Sequence, residues 1–329
     1  MIKSYSLATI ACSFAFGGFV FPAAGQNPPA AGDAPSHWAL GAFGVGRGAD
    51  GKSSKTAAPK GLAITLGEHG DAAVAYDLDL CRIVGAWTGK FTSPAEALSR
   101  GDHPAAIGEV AFTTSEIAGV ISGPAKEPWH DDRPAPTGPL PAGQAQFKGF
   151  FVRGDKTILK WDLSGTEVLE MPGHEVVMNG GGYFTRTFCV APCMVPTQLL
   201  VAADLQPGGP IDVLTHLKSE GEVPGLEDKE RIMQSTPWAH GEKGEVMIWA
   251  AGDPDGSTWR LVNDQLTLEV PQHAKPVTFQ IAYWIAPKSD PDGKTAPLFF
   301  REPQLDLHAL TNGLTLQMPE PSGNASAAK

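Results

Sequence analysis

Through most of the chain, apolar runs of strand length are broken by Gly, Asp, Asn and Pro, the pattern of antiparallel strands joined by tight turns. Residues 61–66 and 72–76 flank Glu68-His69-Gly70-Asp71 and read as a hairpin, which 81–87 continue as a third strand. The clearest meander covers 147–153, 157–163 and 166–171, interrupted by Gly154-Asp155-Lys156 and Ser164-Gly165. Further strands are expected at 183–190, 198–203, 211–217, 245–251, 259–263, 266–270, 277–285 and 314–318. Helical periodicity is confined to short stretches at 94–100, 225–234 and 305–311.

About fourteen short strands at intervals of roughly 8 to 15 residues predict an all-β fold, a large antiparallel β-sandwich with few short helices and long Pro/Gly-rich loops. One enlarged sandwich and two packed subdomains fit the pattern equally. Residues 92–146 carry Pro124, Pro128, Pro134, Pro136, Pro139 and Pro141 and read as one long loop that covers a site or seals a sheet edge. No repeat of propeller or solenoid period is visible.

The ends divide differently. Lys3, an apolar run from Leu7 to Phe21 and the small residues Pro22-Ala23-Ala24-Gly25 have the three-part form of a secretory signal. The run is about 15 residues, short of the roughly 20 needed to span a bilayer. Lipidation at Cys12 is the alternative, disfavoured because Thr9 stands where Leu is preferred and the apolar run continues past the cysteine. The expected organisation is a signal peptide at 1–25, a flexible arm at 26–60 with one anchoring element near 38–45, the β-module at 61–318 and a disordered tail at 319–329. The expected location is the periplasm or the exterior.

The net charge of -11 with no basic cluster argues against a nucleic-acid surface, which needs grouped Lys and Arg to displace counterions. Three of the four cysteines, Cys81, Cys189 and Cys193, lie beyond the signal. In an oxidising compartment Cys189 and Cys193 would form a disulfide if Pro192 bends the chain. On a straight strand they would stand ~13 Å apart, beyond the bridging limit of about 7 Å. No second cysteine pair at ligand spacing, and no haem-attachment motif, accompanies them, so no metal or cofactor is expected.

Chemistry-bearing residues are scattered. Asp77, Asp79 and Arg82 stand close to Trp87, a set able to grip a sugar by ring stacking and charged hydrogen bonds, or else to cap a strand-end turn. His103, His130, Asp131, Asp132 and Arg133 fall in the long loop, where a histidine among carboxylates suits proton transfer or a metal, or else plain solvation. Asp253-Pro-Asp255-Gly256 and Asp290-Pro-Asp292-Gly293 read as turns, because neither continues into a calcium loop. Asn179-Gly-Gly-Gly182 reads as a hairpin connection, since no Gly-Lys-Ser/Thr or helix follows it.

Several segments in order carry a resemblance: Lys60-Gly-Leu-Ala-Ile-Thr-Leu-Gly67, Ala75-Tyr-Asp-Leu-Asp-Leu-Cys-Arg82, Trp87-Thr-Gly89, His103-Pro104, Asp132-Arg133, Gly138-Pro-Leu-Pro141, Lys148-Gly-Phe-Phe151, Thr166-Glu-Val-Leu169 and Phe184-Thr-Arg-Thr-Phe188. Together, from about Trp38 to Leu310, the chain resembles the bacterial domain of unknown function DUF6797. Modules of that kind often continue into a sugar-dehydrogenase-like propeller and a c-type cytochrome segment. The resemblance therefore implies the company of periplasmic redox or carbohydrate metabolism, and it supplies no catalytic residues.

These readings combine into an exported, non-catalytic β-sandwich module that binds a carbohydrate or a periplasmic partner protein. The rivals are a sugar-active enzyme with two carboxylates about 5 to 10 Å apart, and an accessory subunit of a dehydrogenase and cytochrome c complex.

Overall fold

A computed structural model describes residues 37–44, 57–67, 69–91, 106–114, 116–123, 133, 138–141, 143–176, 182–203, 230–233, 246–251, 256–262, 265–285 and 305–318. Three sheets, antiparallel throughout, and one short helix account for most of them. The first is a five-stranded meander of β1 (Trp38–Gly44), β2 (Ala57–Leu66), β3 (Ala72–Asp77), β4 (Arg82–Phe91) and β5 (Ala106–Thr113), paired in that order. The remaining strands are β6 (Val120–Ser122), β7 (Ala145–Arg153), β8 (Lys156–Leu163), β9 (Thr166–Val176), β10 (Gly182–Val190), β11 (Thr197–Ala203), β12 (Glu230–Met233), β13 (Val246–Ala251), β14 (Thr258–Val262), β15 (Gln265–Val270) and β16 (Val277–Ile285). They form a six-stranded sheet in the order β13-β16-β10-β9-β8-β7 and a second five-stranded sheet in the order β12-β14-β15-β11-β6.

Local chemistry sets the hairpins. Between β7 and β8 the turn opens on Gly154 with φ +62°, a place for glycine in a two-residue hairpin. Between β8 and β9 both Ser164 and Gly165 have positive φ, and Asp162 Oδ1 accepts the Gly165 amide at 2.7 Å, which closes the turn.

Alternation along the strands then builds one core from all three sheets. Phe184, Phe188 and Val190 of β10 face the interior shared with Leu62 and Ile64 of β2, Val74 of β3, and Leu266, Leu268 and Val270 of β15. The inner face of the six-stranded sheet is thus packed against both five-stranded sheets, an all-β sandwich. On its outer face Ile158, Leu169, Met171 and Cys189 receive Leu307 of the helix α1 (Leu307–Thr311), whose N-cap Asp306 accepts the Ala309 amide at 3.0 Å.

Two connections carry the chain between sheets at one corner. Residues 191–196 join β10 to β11 and residues 271–276 join β15 to β16, and the two run antiparallel through mutual backbone bonds of Cys193 and His273 at 3.0 Å. Each has prolines near its ends, Pro192 and Pro196 in one, Pro271 and Pro276 in the other. The proline ring restricts φ and removes the amide that would extend a strand, which suits a corner.

Several expectations need correction. The long loop contains β5 and β6: Gly108 and an irregularity opposite Ala86/Trp87 hide the alternation of β5, and β6 is three residues that depend on pairing with β11. The stretch expected to be helical at 225–234 contains β12 instead, because pairing with β14 overrides the local preference of Glu-Arg-Ile-Met. In place of a strand at 314–318 there is a single bridge between Gln317 and Phe150. The expected arm contributes β1 and the start of β2 to the first sheet. The stretches expected at 94–100 and 211–217 lie outside the described residues.

The bridge to Gln317 depends on Gly149, whose φ is +126° and whose missing Cβ would stand 2.9 Å from Leu316 Cγ and against the Gln317 carbonyl. We expect Gly149→Ala to cost about 1–3 kcal/mol by overpacking, read as a lower urea midpoint. Hydrogen exchange should quicken at the Phe150 and Gln317 amides, which now bond each other's carbonyls at 2.9 and 2.8 Å. Unchanged protection there would mean that the segment docks without the close approach.

Candidate functional site: a buried charge hub

The residues expected to grip a ligand are built into the framework. Asp77 ends β3, and its Oδ1 accepts the amides of Asp79 at 3.0 Å and Leu80 at 3.2 Å, fixing the turn that places Cys81 at φ +50°. Its Oδ2 lies 3.7 Å from Nη2 of Arg82, its partner across the β3–β4 pair. Arg82 Nη1 donates to the carbonyl and hydroxyl oxygens of Thr114, both at 3.1 Å, and the Thr114 hydroxyl donates to Ile83. Both charged side chains are buried. Burial raises the Asp77 carboxyl pKa against the pull of Arg82, and burial likewise lowers that of the guanidinium.

Asp79 stands apart, 3.7 Å from the exposed Lys60 ammonium, a surface pair of the kind that contributes about 0–1 kcal/mol. Its carbonyl accepts the Leu140 amide at 3.1 Å, which sets Leu140 against the turn, and Arg133 Nη1 donates to the Gly138 carbonyl at 2.7 Å. Trp87 is 1% exposed and fills the other face of the first sheet with Ala39, Phe43, Ala58, Ala63, Ala73, Ala75 and Val84. No sugar can stack on it. His103, His130, Asp131 and Asp132 lie outside the described residues.

Cys189 and Cys193 are free thiols. Cys189 points to the outer face of the six-stranded sheet, whereas Cys193 lies on the corner, its Sγ 3.5 Å from His273 Nδ1. Pro192 belongs to a crossing between sheets and not to a tight reversal, so the two side chains are not turned toward each other.

The most developed polar constellation was not among the expected residues. Glu170 of β9 is 0% exposed. Its Oε1 accepts from Arg186 Nε of β10 at 2.6 Å and from the Tyr76 hydroxyl of β3 at 2.8 Å, and its Oε2 accepts from Trp161 Nε1 of β8 at 2.9 Å. Arg186 Nη1 reaches the Tyr283 hydroxyl of β16 at 3.3 Å and the Leu200 carbonyl of β11 at 3.5 Å, and its guanidinium lies 4.8 Å from the Phe188 ring centroid. The Tyr283 hydroxyl donates to the Val201 carbonyl at 2.8 Å. One ion pair thereby joins all three sheets. Burial, reinforced by the Glu170 charge, holds the Tyr76 phenol neutral by raising its pKa far above the usual value.

Chemically the hub binds its own strands. A carboxylate with three donors has little capacity left for a substrate, and every member is sealed from solvent. The sequence did contain a signal for it: Glu170 and Arg186 occupy inward positions of neighbouring strands otherwise filled by Val168, Phe184 and Phe188.

Residues 74–170, from within β3 to Glu170 itself, match the family described as Domain of unknown function (DUF6797). No curated protein and no solved structure matches the chain.

Proposed function

We propose that this chain, whose residues 74–170 match the domain of unknown function DUF6797, serves as an exported, non-catalytic module that binds a partner protein outside the cytoplasm. The observation that carries this reading is burial: Asp77 and Arg82, two of the residues expected to grip a ligand, and Glu170, Arg186 and Tyr76 of the hub are closed to solvent and bonded to the protein's own groups. The leader-like first 25 residues support export. A protein is favoured over a saccharide because, among the described residues, Trp87, Trp161, Trp259 and Trp284 are buried and the partly buried Trp38 packs edge-on against Phe150.

The test begins with expression of the full chain in a bacterial host. Intact mass of the periplasmic fraction should show loss of the leader near Gly25. The mature protein should turn over no glycoside or sugar-dehydrogenase substrate and bind nothing on a glycan array. In its native envelope, cross-linking should yield one complex of fixed stoichiometry. Retention in the cytoplasm would sink the export half. Saccharide binding, or turnover abolished by a single Asp or Glu substitution, would replace the module with a sugar-binding or sugar-active protein.

A further inference from the structure

One histidine is placed as no structural residue needs to be. His174 of β9 lies opposite Phe184 of β10, ring centroids 4.7 Å apart, where the end of that hairpin meets the β2–β3 turn of the first sheet. Its side chain is 4% exposed, and neither ring nitrogen has a hydrogen-bond partner. Gly182 makes the room, since a Cβ there would stand 2.7 Å from Nε2, while one on Gly67 would only touch Nδ1 at an ordinary 3.8 Å. The nearest ionisable group is Asp71 of the turn, its Oδ1 3.9 Å from Nδ1. On β9 itself Glu175 follows, its carboxylate engaged by the Tyr183 hydroxyl of β10, and His69 on the turn is exposed.

We propose that His174 is a proton-operated latch holding the β2–β3 turn of one sheet against the β9–β10 end of another, closed while the ring is neutral and released when it is protonated. An imidazolium carries two N–H donors, and both must find acceptors or water. Asp71 can serve Nδ1 after a small approach. Nε2 faces Gly182 with no acceptor, so the charged ring can be satisfied only by moving out toward solvent. Burial accordingly lowers the His174 pKa, with Asp71 and Glu175 opposing only in part. Since the folded value lies below the ordinary 6.5, the contribution to stability is complete above pH 6.5 and is lost as pH falls through the window beneath it. The parts that would part are a turn held by the Gly70 amide on Gly67 and by the Gly89 amide on Asp71.

The experiment is hydrogen exchange on the full chain at pH 7.5, 6.5 and 5.5, corrected for intrinsic rates. Protection of the 66–73 and 182–185 amides should fall by up to about tenfold per pH unit below 6.5, the linkage limit for one proton. His174→Phe should abolish the dependence, and Asp71→Asn, which removes a charge that holds the folded value up, should leave the onset near 6.5 and extend the loss of protection to lower pH. His37, also lowered by burial and bonded to Thr157 at 3.1 Å, would instead report through β1 and β8 amides. NMR titration of the His174 ring covers the case in which the variants fail to fold. Protection independent of pH in these segments, dependence that persists in His174→Phe, or a ring that titrates at or above 6.5 would each overturn the latch.

Discussion

Replacing Glu170 with alanine is expected to unfold the protein under conditions in which the parent is stable. The substitution strands the Arg186 charge in the core, removes the acceptor for the Tyr76 hydroxyl and the Trp161 indole, and leaves a cavity among groups that solvent does not reach. Breaking one side of a buried ion pair costs about 3–5 kcal/mol, and the orphaned donors add to it. Against a typical domain stability of about 5–15 kcal/mol, that is most of the margin. Arg186→Met should fall in the same range, because the Glu170 charge would then be buried against two neutral donors. Tyr76→Phe, which leaves the pair intact, should cost only about 1–3 kcal/mol.

The comparison that separates charge from shape is the double substitution Glu170→Met with Arg186→Met. Removing both charges also removes both desolvation penalties, so the pair should be less damaging than the sum of its singles, with a coupling of about 0.5–3 kcal/mol or more in a double-mutant cycle. Urea unfolding followed by tryptophan fluorescence reads all four proteins, since Trp161 is a member of the hub. Single substitutions that shift stability by less than about 1 kcal/mol would show that the network is not what joins the sheets.

The contrast between the hub and the residues singled out from the sequence shows what local pattern carries. Strands with turn chemistry at both ends were legible: the meander from β7 to β9 and the strand 277–285 emerge nearly where alternation and Gly-bearing turns place them. Trp87 was misread because its surroundings are made by other strands. It pairs with Ala73 in register, and the alanines of β2 and β3 create the room that buries the indole. Asp77 and Arg82 were legible as neighbours, since one short turn brings them together, but the acceptors of the Arg82 guanidinium come from Thr114, 32 residues away. The hub draws on six strands from Tyr76 to Tyr283, and no window of local sequence spans that distance. β5 and β6 escaped notice for the complementary reason: their stability lies in their partners and not in their own pattern.

Gly119→Ala is the second substitution expected to be severe, and its cause is crowding alone. Gly119 lies between β5 and β6, where the chain passes from the first sheet to the third. Its amide donates to Leu80 at 2.8 Å, in the turn that Asp77 caps, and its carbonyl accepts the Leu200 amide of β11 at 2.9 Å. A Cβ there would lie 2.5 Å from Arg82 Cα and 2.7 Å from Arg82 Cβ, and would press on the Cys81 carbonyl. These atoms are backbone or next to it, so no rotamer change relieves the clash. Either the turn or β11 must retreat, and with it go hydrogen bonds contributing about 0.5–1.5 kcal/mol each, on top of about 1–3 kcal/mol for overpacking. Arg82 is the more exposed to the consequence, because its place beside Asp77 and Thr114 is held from this side by Gly119. Gly123→Ala is the matched control: φ there is +104°, yet nothing stands within 4 Å of the added carbon. It should cost only the left-handed strain of about 1–2 kcal/mol. If Gly119→Ala proves no worse than Gly123→Ala in urea unfolding, with the Leu200 amide still protected from exchange, the first and third sheets do not depend on this backbone contact.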